Sequence, residues 1–390
     1  MLLRAAAICT LFLTAALADA KEPRQVHDPG GTFVGSVDCK SSSCHGGAGE
    51  KRSQYFTWSQ KDYHTKAYAI LLNSWSERIA ESLGITSTPA GPPAAMTSTR
   101  CTVCHAPFRA VASARLAATA RPDEGVSCES CHGAASGWLR GHTRKDWTYN
   151  IRVGAGMRDL RNLYVRATAC VACHQNLDAD ILQAGHPDLF FELDSQSVAE
   201  PKHWKDDDSW SGLREWLTGQ AVALREMSWV LATDPRHGEQ SQARWNGLAW
   251  LCATASSAAA ISSPIIPPPA APAPSDFSNM QTQADSLARR ASTSTWSEAS
   301  ARSLLVALAS VDAEFGANRA SRPIQAQRAK RLVLALDRLA HALNNNRGFR
   351  LKVEGELRQL FEDVKRLDSF DPAGFAAHLK GFREALDKAG

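Results

Sequence analysis

Glu124-Gly-Val-Ser-Cys128-Glu-Ser-Cys131-His132-Gly133 decides how this chain is read, because two cysteines three positions apart run directly into a histidine. The same form returns at Cys101-Thr-Val-Cys104-His105 and at Cys170-Val-Ala-Cys173-His174, and with a wider gap at Cys39-Lys-Ser-Ser-Ser-Cys44-His45. With 12 His in 390 residues, chance supplies a histidine after a given cysteine about 3% of the time, and four times over on the order of once in a million. Disulfides or zinc would explain paired cysteines but not the histidine after each pair. Haem c attachment explains both: each thiol of a C-x-x-C-H motif adds to a haem vinyl group, and the next residue brings its imidazole to the iron. The wider first motif needs a looped-out backbone and keeps both thioethers feasible. The expectation is four haem c groups, attached through Cys39, Cys44, Cys101, Cys104, Cys128, Cys131, Cys170 and Cys173, with His45, His105, His132 and His174 on the irons.

What fills each iron's sixth position separates electron transfer from substrate chemistry. His64 is the first candidate. Tyr68, Leu71, Leu72, Trp75, Ile79 and Leu83 recur at helical spacing over 60–83, and His64 stands one turn before Tyr68 on that stripe. His142 follows the third motif by ten residues, and His186 precedes Pro187, which favours extended backbone there. His27, His203 and His237, and then Met96 and Met157, rank behind. Three candidates for four irons leave one iron without a second ligand.

Outward from the motifs, 44% hydrophobic and 22% charged residues describe an ordinary globular chain. Its formal charge of +4 gives no electrostatic case for nucleic acid or acidic membranes. Residues 1–20 read as an export signal: Arg4, an apolar run from Ala5 to Leu17, then Ala18-Asp19-Ala20. The run falls short of the roughly 20 residues that span a bilayer, and no later segment qualifies. Cys9 leaves with the signal, so the mature chain is read as exported and without a membrane span.

Six of the eleven Trp lie between Trp204 and Trp250, read as a helical extension (206–258) over the haems. An Ala/Ser/Pro-rich stretch at 259–275 reads as a linker. Four apolar stripes, Leu304–Val311, Ile324–Leu343, Val353–Leu367 and Phe375–Leu386, then predict a small helical bundle over 276–390. The fold class expected is mainly α: a loop-rich tetrahaem domain at 21–205 with short helices packed around haems, followed by a C-terminal helical region.

Several segments resemble the multihaem cytochrome c-554 family. They are Phe33-Val-Gly-Ser-Val-Asp-Cys39 through Cys44-His-Gly-Gly47, Trp58 to His64-Thr-Lys-Ala67, Glu124 to Gly133 with Trp138 and His142, and Gly185-His-Pro-Asp-Leu189 through Phe191-Glu-Leu193. The resemblance implies closely packed, mostly bis-His haems relaying electrons between redox partner proteins in the periplasm. It also implies a five-coordinate haem at His105; the alternative to the electron-carrier reading is therefore a haem enzyme that reduces or oxidises a small nitrogen or oxygen species at such an open iron. Related larger members continue from a Trp-Leu-x-Gly-Gln stretch, here Trp216 to Gln220, into a further C-x-x-C-H. At the matching place this chain has only Cys252, read either as the relic of a lost haem site or as a small buried cysteine on a helix.

Overall fold

The computed structural model describes residues 30–388 apart from 51, 176, 206–208, 235, 260, 270, 318 and 348–349. The expected export signal, Cys9 and His27 lie outside the described residues. Within them the chain is mainly helical, with no strand and one isolated parallel bridge between Phe33 and Leu116. No described helix is long and apolar enough to cross a membrane.

Residues 30–205 form short helices and turns. Five of them matter below: α1 (Ser74–Ser82), α2 (Thr99–His105), α3 (Cys128–His132), α4 (Leu163–His174) and α5 (Leu193–Ala199). Apart from what α4 and α5 contribute elsewhere, apolar packing here is confined to three small clusters, around Leu71 and Met96, Phe33 and Phe108, and Val34 and Trp138. Polar side chains do much of the joining. Glu129, buried in α3, accepts the backbone N–H of Val34 (3.0 Å), Gly35 (2.7 Å) and Ala135 (2.6 Å). Burial raises its carboxyl pKa, and the three N–H groups oppose that rise.

The single helix expected over 60–83 is broken twice. Asp62 is extended (φ −87°, ψ 127°) and its side chain accepts the His64 N–H; Asn73 (φ −78°, ψ 157°) does the same for Ser76 and opens α1. The apolar spacing is present, but these two caps offer the backbone N–H groups a partner outside the helix. His64 therefore sits in a tight turn. Gly125 packs against that turn with φ +73°, where a Cβ would lie 2.7 Å from the His64 carbonyl oxygen. Only glycine allows that approach, and Val126 N–H then donates to the same oxygen at 3.0 Å.

The C-terminal half is built from longer helices: α6 (Ser211–Thr233), α7 (Glu239–Ala258), α8 (Pro274–Ala291), α9 (Glu298–Ala309), α10 (Arg322–Arg347), α11 (Glu354–Asp363) and α12 (Pro372–Lys388). The four predicted stripes fall on α9 to α12. Helix α8 was hidden by its proline, which stands at the first helical position, where no N–H is needed. One apolar cluster gathers Leu217 and Trp250 with Leu304, Leu336 and Phe375. A second gathers Val171 of α4 and Leu193 of α5 with Leu224, Trp245, Cys252 and Phe277. Both join residues from the two sides of 259–275, so that stretch connects helices within one body and separates no cores. The expected boundary at 205 is likewise crossed by α4 and α5. Of the described residues of the Trp-rich layer expected over the haems, only Trp204 and the start of α6 (Ser211, Arg214, Glu215) reach the large cavity described next, while Trp216 and Trp245 are buried among apolar side chains.

Candidate haem site

One cavity of about 2220 Å³ runs through the N-terminal half, more than twice the upper end of the roughly 300–1,000 Å³ that holds a single small ligand. All eight motif cysteines and all four motif histidines line it, together with His64, His142, His186 and His203. The motifs reach it because three end short helices: α2 at His105, α3 at His132 and α4 at His174. Cys44 and His45 instead lie in a turn.

Within the cavity the histidines stand in pairs, each joining a motif histidine to one from elsewhere. Ring centres are 6.1 Å apart for His45 and His142, 6.0 Å for His64 and His174, 6.4 Å for His105 and His186, and 6.3 Å for His132 and His203. A metal bound at roughly 2.0–2.1 Å to one nitrogen of each ring holds two imidazole centres about 6.3 Å apart. The residues therefore fit four irons, each between two imidazoles.

Hydrogen bonding fits as well. Nδ1 of His45 meets Gln54 Oε1 (3.1 Å), that of His105 the Ala67 carbonyl (3.0 Å), that of His142 the Leu139 carbonyl (2.6 Å) and that of His186 the Pro187 carbonyl (2.8 Å). His64 Nδ1 meets Asp62 Oδ1 at 3.0 Å. His174 Nδ1 lies 3.3 Å from the Gln196 amide, whose Oε1 is buried without a partner, and turning that amide over makes Oε1 the acceptor. Six of the eight rings thus use Nδ1 as donor, which leaves Nε2 for a metal. Burial lowers the pKa of His105 and His174 and brings His132 down to about 4, favouring the neutral, ligating form. His64 is the exception, raised by its bond to Asp62.

His203 is the partner that sequence reading ranked low. It sits in Lys202-His203-Trp204 with no periodicity to mark it; the usable signal was arithmetic, since four motif histidines call for four partners. His186, opposite His105, leaves no motif histidine unopposed, which departs from the open position that the family resemblance implied. His237 lies outside the cavity with Asp234 at 3.8 Å. Met96 packs beside Leu71, and Met157 lines the cavity near Trp138.

Thiols of different motifs also approach one another: Cys39 is within hydrogen-bonding reach of Cys128, and Cys104 of Cys173. Cys252 is away from the cavity, fully buried on α7. That is the arrangement of a small core cysteine, and nothing of the haem cavity reaches it.

Neither the curated proteins nor the solved structures offer a match to this chain. Residues 38–133 match the family model described as cytochrome c554 and c-prime; they hold three of the four cysteine–histidine motifs together with His64. Over these residues, about a quarter of the chain, the sequence is similar to the cytochrome c554 and c-prime family.

Proposed function

We propose that this protein is an exported tetrahaem c-type cytochrome that passes electrons between redox partner proteins. Its four irons are held by His45 and His142, His105 and His186, His132 and His203, and His64 and His174. The observation that carries the reading is the spacing of 6.0–6.4 Å found in all four histidine pairs. Bound haem supplies a one-electron Fe(III)/Fe(II) couple. The chain's own residues do the rest. Two thioethers would fix each macrocycle, eight in all, and the Nδ1 acceptors set tautomer and ring orientation.

The approach of Cys39 to Cys128, and of Cys104 to Cys173, supports neighbouring attachment sites for the first and third motifs and for the second and fourth. All four attachment sites line one cavity. A relay among the four sites through this shared cavity follows. Chemistry at an open iron is the alternative, and His186 facing His105 favours the relay over it, because a second imidazole leaves no position for substrate.

Intact mass and EPR spectroscopy test this together. The mature chain is expected to begin at Lys21, to carry four haem additions and, when ferric, to give only low-spin signals. Fewer than four additions, or a high-spin fraction that responds to nitric oxide, would overturn the relay in favour of the open-site reading.

A further inference from the structure

Six of the paired imidazoles have a described partner at Nδ1, and five of those partners are neutral: Gln54, the carbonyls of Ala67, Leu139 and Pro187, and Gln196. The sixth is a carboxylate. Asp62 is 7% exposed, and its Oδ1 lies 3.0 Å from His64 Nδ1 and 2.9 Å from His64 N. Glu200 places a further carboxylate oxygen within 4.8 Å of this pair. The contact is built into the backbone: the extended conformation at Asp62 aims its carboxylate at His64, and Gly125 lets Val126 hold the His64 carbonyl from the other side.

We propose that Asp62 is a positioning residue that tunes the iron between His64 and His174 and makes it the most reducing of the four; this rests on the tetrahaem reading above. A carboxylate that accepts the Nδ1–H gives the imidazole anionic character and makes it a stronger donor to iron. A stronger axial donor stabilises Fe(III) over Fe(II) and so lowers the reduction potential. Little water reaches Asp62, so the interaction is only weakly screened. Backbone carbonyls and amides exert the same pull without a full negative charge. The consequence lies in the relay. All four histidine pairs line one cavity, so this iron has neighbours with which to exchange electrons. The step concerned moves one electron from a neighbouring ferrous iron to this ferric one, with no bond made or broken. A low potential there makes electron entry at this iron an uphill step of the relay.

The test is a potentiometric titration of the full-length mature protein, followed by visible absorption and EPR, on wild type and on D62N, D62S and D62E. Asn and Ser retain a cap for the His64 N–H and remove the charge; Glu restores the charge. The planes of His64 and His174 are 89° apart, against 12°, 62° and 59° in the other pairs. Orthogonal ligand planes leave two iron d orbitals nearly degenerate, so this iron has its own low-spin signal. D62N and D62S are expected to raise the lowest of the four midpoint potentials and shift that signal, with the other three unmoved, and D62E to return both. An unmoved lowest potential, or all four potentials shifting together, in protein that keeps four haems would overturn the role of Asp62. A wild type lacking four low-spin irons would instead overturn the tetrahaem reading.

Discussion

Residues 30–205 and 211–388 bury their interiors by different means. In the first, short helices of 5, 7 and 12 residues (α3, α2 and α4) carry three of the motifs to a cavity of about 2220 Å³. In the second, helices of up to 26 residues close directly on leucine, alanine and aromatic side chains. The difference teaches where folding free energy comes from. The C-terminal half buries enough apolar surface against itself to hold its helices, whereas the N-terminal half has small clusters around an interior that only a cofactor completes.

The largest expected effect follows from that contrast. Replacing all eight motif cysteines by serine should leave α6 to α12 folded while residues 30–160 lose their protection against hydrogen exchange. Equal protection in both halves would break the comparison. Uniform loss would show that the C-terminal helices also need the haems.

Helices α4 and α5 are where the two halves meet, and their polar contacts sharpen the comparison. Tyr164 at the start of α4 donates to Asp285 of α8 at 2.7 Å, and Arg225 of α6 reaches the same carboxylate at 3.1 Å. Just before α5, Glu192 accepts from Arg331 of α10 at 3.1 Å, and Arg331 also donates to Gln220 at 3.0 Å and lies 3.7 Å from the centre of the Phe190 ring. Arg338 holds Asp194 and Ser195 on α5 itself, immediately before the Gln196 that meets His174. Burial brings the Arg331 pKa down to about 10 and raises that of Glu192. Removing one partner of a buried pair strands the other charge, so Arg331→Met should cost about 3–5 kcal/mol in urea unfolding. A loss below about 1 kcal/mol would mean that water, and not Arg331, satisfies Glu192.

How much of this was legible depends on what sets each feature. Attachment sites are written in sequence because two thioethers and one axial ligand must come from five to seven consecutive residues. The proposed distal ligands need only arrive in space: His142 and His186 are visible through their loops, while His203 has no local mark. The length of a helix proved a matter of caps, since Asp62 and Asn73 interrupt an apolar stripe that alone predicts one continuous element. Composition misread the proline-rich stretch, because a segment with linker residues can still end in a helix whose first position suits proline. The Trp216 to Gln220 motif, visible only as a family trait, turns out to be a packing device: a Cβ on Gly219 would lie 2.8 Å from the Leu193 side chain, and Gln220 accepts from Arg331.

The smallest expected effect concerns Cys252, the one described cysteine outside the cavity. It is fully buried between Trp245, Leu248 and their neighbours, and burial pushes its pKa up to about 12 from an ordinary value of 9.0. A buried neutral thiol is a packing group, so Cys252→Ala should cost only about 1 kcal/mol near neutral pH, and native protein should leave this thiol unmodified by iodoacetamide. The direction with pH follows from linkage. In the unfolded chain the thiol ionises near its ordinary value, while in the fold it keeps its proton, so its contribution is fully present below pH 9 and is lost as pH rises towards 12. Alkaline unfolding curves of wild type and Cys252→Ala should therefore converge over that window. If they stay parallel, or if iodoacetamide labels the native protein, the α7 core opens to solvent, and the C-terminal half is less self-sufficient than its packing indicates.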